Sequence, residues 1–164
     1  MIEYADQNGI DKVDFQEHHQ SEDGYVPCPI LPGVAASQRS KRMGIVMGAI
    51  ILPFHDPVEL AEQIAVADIL SNGRFYAVLA AGYSPTEFAA FGVSLKDRAR
   101  TMDEGFDTIL RALSGERFLF KGREVNVAIE CESELTMGAT VIDWWKVTSR
   151  PVNATALRSV DADG

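Results

Sequence analysis

The chain has 164 residues, of which 46% are hydrophobic, so it can bury the core of a single globular domain. Its formal net charge of −9 argues against nucleic acid or an anionic membrane surface as the main partner. The N-terminal residues are polar, and no apolar run approaches the roughly 18–20 residues that cross a bilayer. The two cysteines, Cys28 and Cys131, lack metal-type spacing. We therefore expect a cytoplasmic protein without a disulfide framework.

The first part of the chain predicts three elements. Residues 2–7 predict a short helix, and residues 12–15 predict a short strand because apolar and polar side chains alternate there. A loop rich in Asp, Gly and Pro follows. Residues 30–38 then predict a second helix, with its proline and glycine in the first turn.

A strand–helix–strand unit comes next, and the chain is organised around it. Residues 44–52 are almost continuously apolar, which is typical of a strand buried on both faces. Asp56 is a good N-cap for a helix over residues 57–70, and a second buried strand is predicted over residues 75–80. Two buried strands joined by a helix are expected to be parallel, and ligands in such folds bind beyond the carboxyl ends of the strands.

The second half of the chain is less regular. We predict a short helix with Thr86 as its cap, a longer helix over residues 95–113 and a hairpin near residues 118–123. From about residue 128 the pattern changes to alternating glutamates and then to small polar residues. Trp144 and Trp145 are interpreted as core residues or as an apolar end that tends to associate. We therefore divide the chain into a domain over residues 1–127 and a divergent, poorly ordered tail over residues 128–164.

The first candidate site is Glu17-His18-His19, which follows the first predicted strand. A histidine at this strand end could act as a general base or hydrogen-bond a bound ring, and Glu17 could orient it. A surface histidine pair without a role is the alternative interpretation. A metal site is disfavoured because no third ligand has a recognisable spacing.

The second candidate site is Ala80-Ala81-Gly82-Tyr83, at the end of the strand over residues 75–80. Small residues there would let a planar or phosphorylated ligand approach the backbone, although they equally suit a tight turn. His55 is interpreted as a residue at the start of a helix with some capping role. The sequence contains neither a dinucleotide-binding glycine motif nor a phosphate loop.

Several linked motifs resemble the bacterial luciferase-like monooxygenase family, in the right order and spacing over about residues 5–127. These are EHH at 17–19, LPFHDPVELAE at 52–62, DILSNGRF at 68–75, GY at 82–83 and EFAAFGV at 87–93. The resemblance implies an α/β fold of (β/α)8 TIM-barrel type that binds reduced FMN or, in some branches, a deazaflavin. It also implies oxygenation of a small organic substrate with incorporation or reduction of dioxygen, or hydride transfer in the deazaflavin branches.

The family's functional positions carry over residue by residue. His18 matches a catalytic histidine beside the flavin ring, with Glu17 and His19 as its neighbours. Residues 49–52, including Ala49 and Ile51, match a strand that lies against the ring, sometimes with a non-proline cis peptide. Ala80 and Ala81 stand where luciferase proper has a cysteine and a phosphate-binding arginine, so we do not predict light emission. By the same resemblance the expected cofactor-binding residues are Ala49, Ile51, Ala80, Ala81, Gly82 and Tyr83.

The chain is short for the whole family fold. A complete barrel needs about 250 residues, so we expect a partial barrel that contains strands two to four with their helices and has an open inner face. An alternative hypothesis is a non-catalytic fragment that can only associate. The resemblance implies a homodimer for the full-length family, through the helices predicted over residues 30–38 and 57–70.

Overall fold

The structure is a computed structural model that describes residues 1–127 and the backbone of residues 140–143. Four parallel strands form one sheet in the order β1-β2-β3-β6, and two further strands form an antiparallel hairpin. The sheet strands are β1 (Lys12–Phe15), β2 (Gly44–Ile51), β3 (Phe75–Ala80) and β6 (Thr140–Asp143), and the hairpin strands are β4 (Phe118–Phe120) and β5 (Arg123–Val125).

Five α-helices and two short 3-10 turns connect these strands in the part of the chain that is described. None of the helices within residues 1–127 is long and apolar enough to cross a membrane. The helices are α1 (Ile2–Gln7), α2 (Ile30–Arg39), α3 (Pro57–Ser71), α4 (Pro85–Phe91) and α5 (Arg98–Leu113), and the 3-10 turns are Leu52–Phe54 and Leu95–Asp97.

The parallel pairing of β1, β2 and β3 confirms the predicted arrangement. Lys12 is paired with Gly44 and Phe15 with Met47, so β1 and β2 run in the same direction. β2 and β3 are also parallel, with a shift of register between Gly48 and Ile50. The three carboxyl ends therefore lie on one edge of the sheet.

β6 is an element that the sequence did not predict. It pairs in parallel with β3 and lies inside residues 128–164, where we expected a divergent tail. The other residues of this stretch, including Trp144 and Trp145, lie outside the described part of the chain. The domain boundary at residue 127 stays a prediction.

The predicted start of α3 is confirmed at Asp56. Its carboxylate accepts a hydrogen bond from the backbone N–H of Val58 at 2.9 Å, and Pro57 occupies the first helical position. At the other end, Asn72 adopts the left-handed conformation that closes the helix. The cap of α4 differs from the prediction, because Ser84 rather than Thr86 caps it.

Helices α2, α3 and α5 cover one face of the sheet and enclose the hydrophobic core. Ile45 and Met47 of β2 and Ala77 and Leu79 of β3 are fully buried on this side. The residues that alternate with them, such as Val46, Gly48, Tyr76 and Val78, face the opposite side and are only half-buried. Residues 1–127 thus form one helix-covered sheet whose other face is open, as expected for part of a barrel.

Candidate active site

The carboxyl ends of β1, β2 and β3 surround a cavity of about 610 Å³. The sequence placed eight candidate residues at these strand ends, and the structure brings all eight into the wall of this one cavity. They are Glu17, His18, Ala49, Ile51, Ala80, Ala81, Gly82 and Tyr83.

Small residues form a large part of the wall between β2 and β3. Gly48 and Ala49 come from β2, and Ala80 and Ala81 come from the end of β3. The peptide bond between Gly48 and Ala49 is cis. A Cβ atom at Gly48 would lie 2.5 Å from Oδ1 of Asp14, so a side chain here would have to displace the Asp14 carboxylate. The result is a surface on which a flat ligand can approach the backbone.

Glu17 connects the ends of β1 and β2. Its side chain is fully buried, and its Oε2 accepts a hydrogen bond from the backbone N–H of Ile51 at 2.6 Å. The backbone N–H of Glu17 also donates to the carbonyl oxygen of Ala49 at 3.1 Å. The other carboxylate oxygen, Oε1, lies 2.8 Å from Nε2 of His19 and 2.9 Å from Nε2 of His55.

Three hydrogen-bond donors make this buried carboxylate stable as an anion. Burial alone raises the pKa of Glu17, but the hydrogen bonds from His55, the Ile51 backbone and His19 outweigh it and hold the pKa below its ordinary value. Glu17 is therefore charged at neutral pH and fixes two histidines and one strand end.

The contacts of Glu17 correct two expectations about the histidines. We expected Glu17 to orient His18, but its carboxylate contacts His19 and His55 instead. We also expected His55 to serve mainly at the start of α3, whereas it is a member of the Glu17 cluster. Local sequence patterns do not indicate the pairing of Glu17 with His55, because 38 positions separate these residues.

The carboxylate beside His18 belongs to Glu87, in the first turn of α4. Oε1 of Glu87 lies 3.3 Å from Nδ1 of His18 and accepts the backbone N–H of His19 at 2.9 Å. The His18 side chain is 32% exposed and borders the cavity, whereas that of Glu87 is 4% exposed. Glu87 was missed at the sequence level, although Ser84-x-x-Glu87 is a capping-box pattern that would mark the start of α4.

His18 and His19 differ in their surroundings. The ring of His19 packs between aromatic neighbours, with centroid distances of 4.5 Å to Phe91 and 5.7 Å to Phe54. The ring of His18 instead meets Tyr25 and Tyr83 at the mouth of the cavity. Of the two adjacent histidines, only His18 lines the cavity.

The residues present fit a flavin ring better than a flavin phosphate. The small-residue wall and apolar side chains such as Val46 and Val78 suit a planar aromatic group. No lysine or arginine in the described part of the chain lines the cavity. No cluster of His, Cys, Asp or Glu within those residues is arranged to hold a metal ion, and Cys28 is free and exposed.

Solved structures with similar folds identify the class of protein. A monooxygenase from Streptomyces bottropensis superposes with a TM-score of 0.75 at 27% identity, over 85% of this chain and 44% of that one. The oxygenating constituent of 3,6-diketocamphane monooxygenase from Pseudomonas putida, a type II Baeyer-Villiger enzyme in complex with FMN, superposes with a TM-score of 0.70 at 25% identity. This match covers 81% of the present chain and 38% of the enzyme. The fold is thus that of part of a TIM-barrel monooxygenase.

Sequence comparison then identifies the family. The profile described as luciferase-like monooxygenase matches residues 1–156, and the chain belongs to this family. Limonene 1,2-monooxygenase from Rhodococcus erythropolis is 32% identical over 116 residues, which are 71% of this chain and 30% of that enzyme. The chain therefore spans less than half the length of these relatives.

Proposed function

We propose that this chain forms the flavin-ring site of a monooxygenase that acts on a small organic substrate with dioxygen. The observation that carries the proposal is the convergence of His18 and the small-residue wall on one cavity at the carboxyl ends of three parallel strands. The FMN complex of a structural relative supports reduced FMN as the cofactor.

Each part of the cavity has a role in this proposal. The backbone near Ala49, Ala80 and Gly82 would hold the ring, and Val46, Val78 and Ile51 would exclude water from it. Glu17 keeps the end of β2 in place through the Ile51 N–H. A bound reduced flavin would supply the electrons for oxygen chemistry, while His18 would hold or move a proton at its free ring nitrogen.

The proposal is tested with the purified 164-residue chain, reduced FMN and isotopically labelled dioxygen. Monoterpenes and cyclic ketones are suitable probes because relatives act on limonene and on diketocamphane. We expect label in the product, and we expect His18→Ala to lower turnover by about 10²-fold with a smaller effect on flavin affinity. His55→Ala is the matched control, since His55 also contacts a buried carboxylate, that of Glu17, but does not line this cavity.

The alternative functions give different results in the same assay. Turnover with a reduced deazaflavin that does not need dioxygen would favour hydride transfer. Equal losses in the His18 and His55 variants would contradict the role given to His18. A folded chain that binds neither FMN nor a deazaflavin would favour the non-catalytic hypothesis.

We extend the proposal to a cytoplasmic homodimer. Its contact surface would be the groove between α2 and α3, where Leu31, Val66 and Leu70 are exposed. Exposed apolar side chains that are clustered in this way favour a protein contact. Sedimentation velocity measures the oligomeric state directly, and a monomer at micromolar concentration would contradict the proposed dimer.

A further inference from the structure

Glu87 is a buried carboxylate whose hydrogen bonds are all directed to one short segment. Its Oε1 contacts Nδ1 of His18 and the backbone N–H of His19. Its Oε2 is buried without a hydrogen-bond partner among the described residues. Such an arrangement costs free energy, so stability alone does not explain it.

Glu87 occupies a position in α4 from which its carboxylate would normally bond to the start of its own helix. Ser84 caps the helix and Glu87 is the third residue after it, where a capping-box glutamate normally reaches back to the backbone N–H of the cap. Here the carboxylate leaves the helix and crosses to the segment that follows β1, 69 positions earlier in the chain. The carboxylate of Glu87 thus contacts His18 in place of the usual hydrogen bond to the backbone N–H of Ser84.

We propose that Glu87 is a positioning residue that fixes His18 as the Nδ1–H tautomer and leaves Nε2 free to accept a proton. Oε1 of Glu87 already accepts the backbone N–H of His19, so it is an acceptor and the nitrogen of His18 that faces it must carry a hydrogen. The functional meaning of this tautomer rests on the function proposed for His18 above, but the tautomer itself does not.

Glu17 imposes the opposite choice on the other two histidines. His19 and His55 both approach its Oε1 with Nε2, so both must be Nε2–H tautomers. The chain contains three histidines. The two buried carboxylates therefore predict a pattern in which His18 alone carries its hydrogen on Nδ1.

Among the described residues, the carboxyl group that contacts the His18 ring is that of Glu87. The rings of Tyr25 and Tyr83 approach the His18 ring edge-on, with centroid distances of 5.1 and 6.4 Å. The hydroxyl of Tyr25 donates to Gln16. The carboxylate of Glu17, adjacent in sequence, is occupied by His19, His55 and the backbone of Ile51.

Nitrogen NMR of the imidazole rings tests the tautomers directly in the 164-residue chain labelled with ¹⁵N and free of flavin. The spectra are recorded near pH 8, above the ordinary histidine pKa, and the signals are assigned with single His→Gln variants. We expect protonated Nδ1 for His18 and protonated Nε2 for His19 and His55. In Glu87→Leu, which removes both side-chain oxygens, His18 should lose its preference while the other two rings keep theirs, and Glu17→Leu should do the reverse.

The result does not depend on whether the chain is an active monooxygenase. A wild-type His18 that is mainly Nε2–H, or one whose tautomer is unchanged in a folded Glu87→Leu variant, would overturn the proposal. If that variant fails to fold, the wild-type spectrum alone still decides. Where turnover is measurable, kcat should fall about 10- to 100-fold in Glu87→Leu with a smaller change in KM, and Glu87→Asp should recover part of it.

Discussion

Two buried carboxylates, Glu17 and Glu87, determine how the histidines of the site are oriented. Both are buried, yet they act on different partners: Glu17 on His19 and His55, and Glu87 on His18. The sequence predicted that Glu17 and His18 would lie at this strand end, because strand ends of a parallel sheet meet on one edge. It could not predict which carboxylate meets which ring, since the His18–Glu87 and His55–Glu17 contacts join residues 69 and 38 positions apart.

For single residues, we predict that Glu17→Gln lowers the free energy of unfolding. The variant loses a charged acceptor that serves three donors, so its free energy of unfolding should be about 2–4 kcal/mol lower than that of wild type at neutral pH. The pKa of Glu17 is depressed in the folded state, so its contribution is full above the ordinary value of 4.5 and is lost as the pH falls through the native value. The free energies of unfolding of wild type and Glu17→Gln, measured in urea, should therefore approach each other at acidic pH.

The control for this prediction is Glu62→Gln, which removes the same charge from an exposed position on α3. We expect its unfolding free energy to stay within about 0.5 kcal/mol of wild type at all pH values. A constant difference between wild type and Glu17→Gln down to about pH 3 would contradict the depressed pKa.

Among the elements, the β2–α3–β3 unit was predicted almost completely from its pattern. Long apolar runs and a strong cap at Asp56 are local signals, so they predict local structure well. β6 was missed because its residues, TVID, do not alternate between apolar and polar, and because its pairing with β3 is not local. The prediction of Thr86 as the cap of α4 was wrong because several residues near a helix start can act as caps, and Ser84 takes this position.

The turn from β3 to α4 depends on Gly82 for two separate reasons. Its φ is +72°, and a Cβ there would lie 2.8 Å from side-chain atoms of both Ile51 and Phe88. Gly92, which ends α4, has a similar φ of +65° but open space around its Cβ position. Gly82→Ala should therefore destabilise the chain by about 1–3 kcal/mol more than Gly92→Ala in denaturant unfolding. Equal losses would show that the backbone conformation alone matters at Gly82.

For the whole molecule, the described residues form a sheet that is covered by helices on one side and open on the other. The parallel order of β1, β2 and β3 was predicted because a helix joins two buried strands. This order brings Glu17, Ile51 and Gly82 to one cavity, which local sequence patterns could indicate only as a shared edge. The central claim is that this cavity holds a flavin ring.

Titration of FMN fluorescence with Ala80→Leu and Ala89→Leu tests that claim most directly. Ala80 lines the cavity, whereas Ala89 is exposed on α4, so the two variants add the same side chain inside and outside the site. We predict saturable quenching by wild type and Ala89→Leu, and a Kd at least ~10-fold weaker for Ala80→Leu, because leucine would fill the space of the ring. Equal affinities for the two variants, or no binding by the folded wild-type chain, would contradict the account.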